Sequence, residues 1–295
     1  MSNQREKSIL VLMPYFGRWP DWLNLYLESC RWNPTVHWLF FTDCPTPLDV
    51  PENVHFKGMS FQEYIERASN VLKLRLCWTD PYKLCDLRPA LGFLHQDEIR
   101  GYDYYGYGDI DVIYGNIRRI YTESVLEHLC ISPSSNQVAG HFSLFQNCEL
   151  AIYAFRQIGD WEKLIQDEHH HRLDECHFSD IFLPGKNNEK SLLPYRSNNY
   201  FVEQFSTILC DMPWINGSMQ HPEVWFWKEG SLTNAEDRDR EFLYFHFMNW
   251  KSAKFLPSFR GSSAAWENIP SVNCVPKDKL REGWIMSRKG FHPIS

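Results

Sequence analysis

Two carboxylates flank one aliphatic residue at Asp109-Ile110-Asp111, inside the run GYDYYGYGDIDVIYG over residues 101–115. Tyr102, Tyr104, Tyr105 and Tyr107 precede them as a strand-like aromatic stretch, and Val112-Ile113 continues the apolar character. In extended backbone, residues i and i+2 project to the same side. Both acids can therefore converge on one point while Ile110 anchors the other face. Paired carboxylates at a strand end are an oxygen-ligand set for Mg2+ or Mn2+, ions that keep open positions for substrate phosphates. The alternative is a polar turn capping a strand. Gly106 and Gly108 before the pair, and Gly115-Asn116 after it as a helix start, favour the metal–phosphate reading.

Other residues of the right type lie on either side. The segment Tyr82–Leu94, YKLCDLRPALGFL, opens with Lys83, Asp86 and Arg88. It reads either as a solvated helix start or as a phosphate site, with Arg88 or Lys83 offsetting charge and Asp86 orienting the cation. Arginine suits that role because its planar fork matches phosphate oxygens bidentately. His169-His170-His171 is a poor chelator, because adjacent side chains point in different directions, and it reads as a solvated face. Leu173–Phe182, LDECHFSDIF, sets Asp174, Glu175 and Asp180 in a region rich in aromatic residues.

The elements that must position these residues alternate between two periods. Ser8–Met13 and Val36–Thr42 are continuous apolar runs that read as buried parallel strands, with Asn53–Phe56 as a short third. Asp21–Arg31 carries Trp22, Leu25, Tyr26 and Ser29 at helical spacing, and Ser60–Leu76 carries an apolar stripe from Phe61 to Leu76. Such alternation predicts an α/β fold whose parallel sheet is covered on both faces, with ligands at the carboxyl ends of the strands. Tyr15–Arg18, Asp43 and Asp109/Asp111 would all lie there. Ile117–Leu129 and Glu149–Ile158 read as helices, and Ala139–Gln146 reads as a strand with His141, Ser143 and Phe145 on one face. Asp160–Arg172 is a charged helix or loop, 184–199 is rich in turns, and Phe201–Met212 and Glu241–Lys251 are apolar elements. Beyond residue 256 no clear pattern emerges. The basic and aromatic residues at that end (Lys277, Lys279, Arg281, Trp284, Arg288, Lys289, Phe291) make either an anionic-membrane contact or an ordinary tail.

Composition narrows the class. A net charge of −7 argues against a nucleic-acid binder, whose footprint is a basic face. The nine cysteines are scattered without a C-x-x-C pair, which fits reduced thiols in a cytoplasmic protein better than a disulfide framework or structural zinc. The apolar run near the N-terminus stops at Pro14, too short for a signal-peptide core, and no stretch approaches the roughly 20 apolar residues of a membrane helix.

Taken together, the strand–helix alternation, D-I-D at a strand end and the late pair His246…Lys251 resemble the GT-A glycosyltransferases. The segment H-F-M-N-W-K over 246–251 is similar to the glycogenin-type pattern, with Asn249 where a glycine is usual. The resemblance implies a single GT-A-like, Rossmann-type mixed sheet flanked by helices over residues 1–256. Its nucleotide-binding half would be 1–115 and its acceptor half 116–256, followed by a C-terminal tail, 257–295. It implies Mn2+ or Mg2+ held by Asp111, Asp109 and His246, with Asp109, Lys251, Asp86, Arg88, Lys83 and Tyr15 around a nucleotide-diphosphate sugar, UDP-sugar favoured. An inverting enzyme would also need a carboxylate base for the acceptor hydroxyl. Glu175 or Asp174 is the first candidate and Asp180 the next, with His141 and Ser143 as acceptor contacts. The acceptor would be an oligosaccharide or lipid-linked saccharide. The general arrangement is also similar to bacterial glycosyltransferase-like proteins of surface-polysaccharide synthesis, which implies a cytoplasmic protein at or near the inner face of the membrane.

Two rival readings stand beside this one. A phosphatase or phosphotransferase of the hhhDxDx[T/V] type has the acidic pair, but Ile113 takes the place of its Thr or Val. A carbohydrate-binding protein without transferase activity would use the 12 tryptophans and 14 tyrosines as stacking platforms.

Overall fold

The computed structural model describes residues 5–183, 192–237, 239–256 and 264–294. In chain order its strands are β1 (Ile9–Pro14), β2 (Val36–Thr42), β3 (Val54–Gly58), β4 (Tyr104–Gly108), β5 (Val112–Tyr114), β6 (Cys130–Ser132) and β7 (Phe142–Gln146). There follow β8 (Asn199–Phe201), β9 (Val224–Lys228), β10 (Ser231–Asn234), β11 (Tyr244–His246), β12 (Trp284–Ser287) and β13 (Gly290–Pro293). The longer α-helices are α1 (Leu23–Arg31) and α2 (Phe61–Leu72). Chain contacts divide into two compact units, each assembled from separate stretches of sequence. The first comprises Met1–Arg18, Thr35–Asp109 and Tyr121–Glu203, and the second Trp19–Pro34, Ile110–Ile120 and Gln204–Ser295.

The first unit is built on a seven-stranded sheet in the order β3-β2-β1-β4-β7-β6-β8. Strands β3, β2, β1 and β4 run parallel, whereas β7 is antiparallel to both β4 and β6. The expected mixed sheet flanked by helices is therefore what the chain forms. Its central strands are apolar because both faces are covered: Ile9, Val11, Val36, Trp38 and Phe41 have no exposed surface. Helix α2 begins with a capping box, in which the Ser60 hydroxyl accepts from the Glu63 N–H while the Glu63 carboxylate accepts from the Ser60 N–H. It ends at Leu72 rather than Leu76, because Lys73 takes a left-handed conformation (φ 61°). Gly106 in β4 is fixed by close packing: a Cβ there would strike the Ser143 carbonyl of β7.

The second unit contains the antiparallel sheet β10-β9-β12-β13 and the antiparallel pair β11–β5. Its core is aromatic. Trp225, Trp227, Trp250 and Trp284 are fully buried, and Trp227 stacks on Trp284 at 3.9 Å between ring centroids. The Trp227 indole N–H donates to the Tyr114 carbonyl of β5. From α1, the Ser29 hydroxyl accepts from the Tyr114 N–H, and Asn33 following the helix donates to the Gly115 carbonyl. Strand β5 is thus held from two sides.

Several expectations fail for local reasons. In place of a helix over Ile117–Leu129 there is one turn, Ile117–Ile120, and a 3-10 turn, Val125–Glu127. Between them the Thr122 and Ser124 hydroxyls bond each other, the kind of local hydrogen bonding that competes with a helix. Of Phe201–Met212 only Phe201 lies in a strand, since Phe205 and Leu209 take positive φ and break regular structure. Tyr82–Leu94 is mostly a 3-10 segment, Pro81–Ala90, with Pro89 inside it. The turn-rich stretch 184–199 lies in part outside the described residues. Near the C-terminus, where no pattern was legible, β12 and β13 complete the second sheet with Trp284 and Phe291 buried. No helix among the described residues is long and apolar enough to cross a membrane.

Within the first unit, Glu98 joins Lys57 in β3 to Arg67 on α2, at 2.9 and 2.8 Å, with the His95 ring at 3.5 Å. Burial pushes the Glu98 carboxyl up, but His95, Lys57 and Arg67 together hold it well below the ordinary carboxylate range. A depressed folded-state pKa gives stability that is present above the unfolded value, about 4.3, and is lost as pH falls below it. We expect Glu98→Gln to cost about 2 kcal/mol at pH 7 in urea denaturation and to flatten the acid limb of stability against pH. A variant with the wild-type acid limb would contradict the clamp.

Candidate functional site

The tripeptide Asp109-Ile110-Asp111 crosses from the first unit to the second, and each acid has an ion-pair partner within its own unit. Asp109 directly follows β4, and its N–H donates to the His141 carbonyl, closing the end of the β4–β7 pair. Its carboxylate is paired with the Arg88 guanidinium, whose other terminal nitrogen donates to Asp174 at 2.9 Å. Arg88 also lies over the Tyr107 ring, 5.8 Å from its centroid. Asp174 is buried, and burial pushes its carboxyl up to about 6, the Glu175 charge adding to the rise and Arg88 opposing it.

Gly140 makes this arrangement possible. A Cβ there would sit 2.6 Å from the Asp174 carboxylate and closer still to Arg88. Only a residue without a side chain lets the backbone pass so close to the ion pair.

In the second unit, Asp111 immediately precedes β5, and pairing of Val112 with His246 brings the start of β5 against the end of β11. The Phe247 N–H donates to the Asp111 carbonyl. The carboxylate then meets Lys251 at 2.7 Å and the His246 Nε2 at 3.7 Å, both measured to the same oxygen. Burial pushes the Asp111 carboxyl up, but Lys251 and His246 outweigh it and hold the group well below the usual range. His246 is itself oriented, with Thr207 Oγ1 at 3.1 Å from Nδ1. Sequence reasoning missed Thr207, which stands 39 residues before the histidine with no motif around it. Asn249, the departure from the glycogenin-type pattern, is buried and donates to the Ile208 and Leu209 carbonyls.

By residue type, Asp109, Asp111 and His246 are donors suited to a divalent cation of the Mg2+/Mn2+ class. No lysine or arginine lies within six residues of Asp111 in sequence to supply a counter-charge. The fold supplies it from afar: Lys251 neutralises Asp111, and Arg88 neutralises Asp109. A cation there would add positive charge and would call for an anionic ligand.

The remaining candidates divide. Tyr15 lies after β1, its hydroxyl donating to the Arg18 carbonyl, and the Gly17 N–H donates to Asp43 after β2. These residues do lie at the carboxyl ends of the first two strands. Lys83 and Asp86 are instead an internal pair at 2.8 Å, both buried. Lys83 also donates to the Leu164 and His169 carbonyls, while Asp86 accepts from the His171 and Leu173 N–H groups. With these partners the pair holds the 160–173 stretch in place and is not available to a phosphate. Glu175 is ion-paired with Arg172 at 2.7 Å, and Asp180 is exposed. Ser143 is fully buried with its hydroxyl donated to the Ala139 carbonyl, which removes it as an acceptor contact.

The chain belongs to the Family of unknown function (DUF6625). The family model spans residues 11–264, a range that includes the acidic tripeptide, Arg88, Asp174, His246 and Lys251. No curated protein matches the chain in sequence. Among solved structures, the glycosyltransferase GlyE of Streptococcus pneumoniae TIGR4 is similar at 12% identity and a TM-score of 0.32, over 68% of this chain. The chain spans less than half, 46%, of that protein's length. Mouse xyloside xylosyltransferase 1 is similar at 11% identity and a TM-score of 0.34, over 70% of this chain and 88% of the other. At TM-scores of this size the alignments carry no weight for function, which rests on the residues themselves.

Gly140→Ala tests the close approach to the Arg88–Asp174 pair. The added methyl should cost about 1–3 kcal/mol in chemical denaturation. An unchanged midpoint would show that the loop and the ion pair have room to spare.

Proposed function

We propose that this chain is a metal-dependent glycosyltransferase of the GT-A type, moving a sugar from a nucleoside diphosphate sugar, UDP-sugar favoured, to a saccharide acceptor. The observation that carries this reading is the convergence of Asp111, His246 and Lys251. A carboxylate, an imidazole and an ammonium together can meet a divalent cation and a diphosphate at once. When bound, Mn2+ or Mg2+ supplies Lewis-acid stabilisation of charge on the leaving diphosphate.

The chain's own groups fall into roles around that need. Asp111 and His246 hold the ion, with Asp109 as a further carboxylate. If Nδ1 of His246 carries the proton toward Thr207, Nε2 is the nitrogen that would face the ion beside Asp111. Lys251 is one-third exposed and can meet a phosphate oxygen while keeping Asp111 neutralised. Asp174 is the best placed base for an acceptor hydroxyl, because a carboxyl raised to about 6 accepts a proton near neutral pH more readily than an ordinary one. Its tie to Arg88, and through Arg88 to Asp109, supports a place near the donor. Glu175, beside it in sequence, supplies a second carboxylate, and Asp180 is the weakest candidate of the three. An oligosaccharide or lipid-linked acceptor in bacterial surface-polysaccharide assembly, on the cytoplasmic side of a membrane, is the setting the motif resemblance suggests.

Asp111→Asn keeps the shape and removes the charge. Calorimetry with UDP and Mn2+ should show at least a tenfold loss of affinity, about 1.4 kcal/mol, in a variant that still folds cooperatively. Equal affinity in wild type and variant would contradict the reading.

A further inference from the structure

Lys251 can neutralise Asp111 and face an anionic ligand only if its ammonium is held in one place, and a four-carbon stem does not do that alone. In the second unit the Lys251 ammonium lies 5.6 Å from the centroid of the Trp22 ring, within reach of its π face. The same indole donates its N–H at 2.9 Å to the carbonyl of Ile110, the residue between the two acids. The indole and the ring of Phe247, one residue after His246, form a T-shaped pair with centroids 5.3 Å apart at 89°. Trp22 stands at the start of α1, where its carbonyl accepts from the Leu25 and Tyr26 N–H groups. The neighbouring Asp21 accepts from the Val272 N–H. The indole is therefore mounted on a fixed helix end. One side chain touches the acidic tripeptide, the lysine and the histidine's neighbour.

We infer that Trp22 is a positioning residue for the diphosphate site, acting through Lys251, with the bond to the Ile110 carbonyl holding the indole in place. The inference rests on the nucleoside diphosphate reading given above. The ring face attracts the ammonium without neutralising it, so the charge stays available to a second anion. The N–H bond to Ile110 fixes the indole plane, and with it the place where the ammonium rests. Trp22 does not touch the reacting atoms in this account. Its contribution appears only while Lys251 is present.

A double-mutant cycle reads that dependence, with UDP and Mn2+ as the probe and calorimetry as the measurement. Trp22→Leu should weaken metal-dependent UDP binding by about tenfold. In a Lys251→Met background the same change should weaken it by less than about twofold, since the group it positions is gone. Trp22→Phe keeps a ring face but not the N–H bond to Ile110, and should recover part of the loss only while Lys251 is present, a dependence that a role in folding alone does not predict. Thermal unfolding of each variant identifies any that fail to fold, and Trp22→Phe serves where Trp22→Leu does. An equal loss with and without Lys251 would overturn the positioning role while leaving the nucleotide reading intact. If wild type binds no nucleoside diphosphate in the presence of Mn2+, the underlying reading fails, and this inference with it.

Discussion

A carboxylate that is only 5% exposed stays ionised only beside positive charge, and Asp111 meets that condition through Lys251. Much of the second unit serves the meeting. Strand β11 must lie antiparallel to β5 for His246 and the following turn to reach Asp111. Strand β5 in turn is held by Trp227 on one side and by Ser29 and Asn33 on the other. The buried tryptophans fill that scaffold, each burying a large apolar area. Removing Lys251 would leave a buried, uncompensated charge, which is costlier than the pair is stabilising.

The same logic recurs on the other side of Ile110 with different partners. Asp109 is matched by Arg88, which also binds buried Asp174, and Gly140 gives way to that pair. Two acids separated by one residue thus carry separate cations and separate environments. One acid belongs to a cluster with an imidazole and an ammonium, the other to a guanidinium bridge ending in a carboxyl of raised pKa.

How much of this was legible in the sequence follows from the range of the interactions. The buried runs of β1 and β2 and the start of α2 are local patterns, and they stand where the sequence placed them. The acidic tripeptide was legible as a motif, and His246 and Lys251 entered by resemblance. The partners of the acids were not legible: Lys251 is 140 residues from Asp111, and no periodicity announces such a contact. Lys83 and Asp86 misled because a charged i,i+3 pair looks the same in sequence whether it faces a phosphate or closes an internal loop. The C-terminal strands escaped because β12 and β13 are four residues each, too short for alternation to stand out.

On the function proposed above, this chain binds a nucleoside diphosphate together with a divalent cation. Thermal unfolding of wild type with UDP, GDP, ADP and CDP, each with and without Mn2+, tests it most directly, since a ligand of the native state raises its stability. At ligand concentrations about a hundredfold above Kd, the stabilisation should be about 2.7 kcal/mol, for one nucleotide, and only when Mn2+ is present. A midpoint that no nucleotide moves, or that nucleotide moves equally with the metal chelated, would contradict the account.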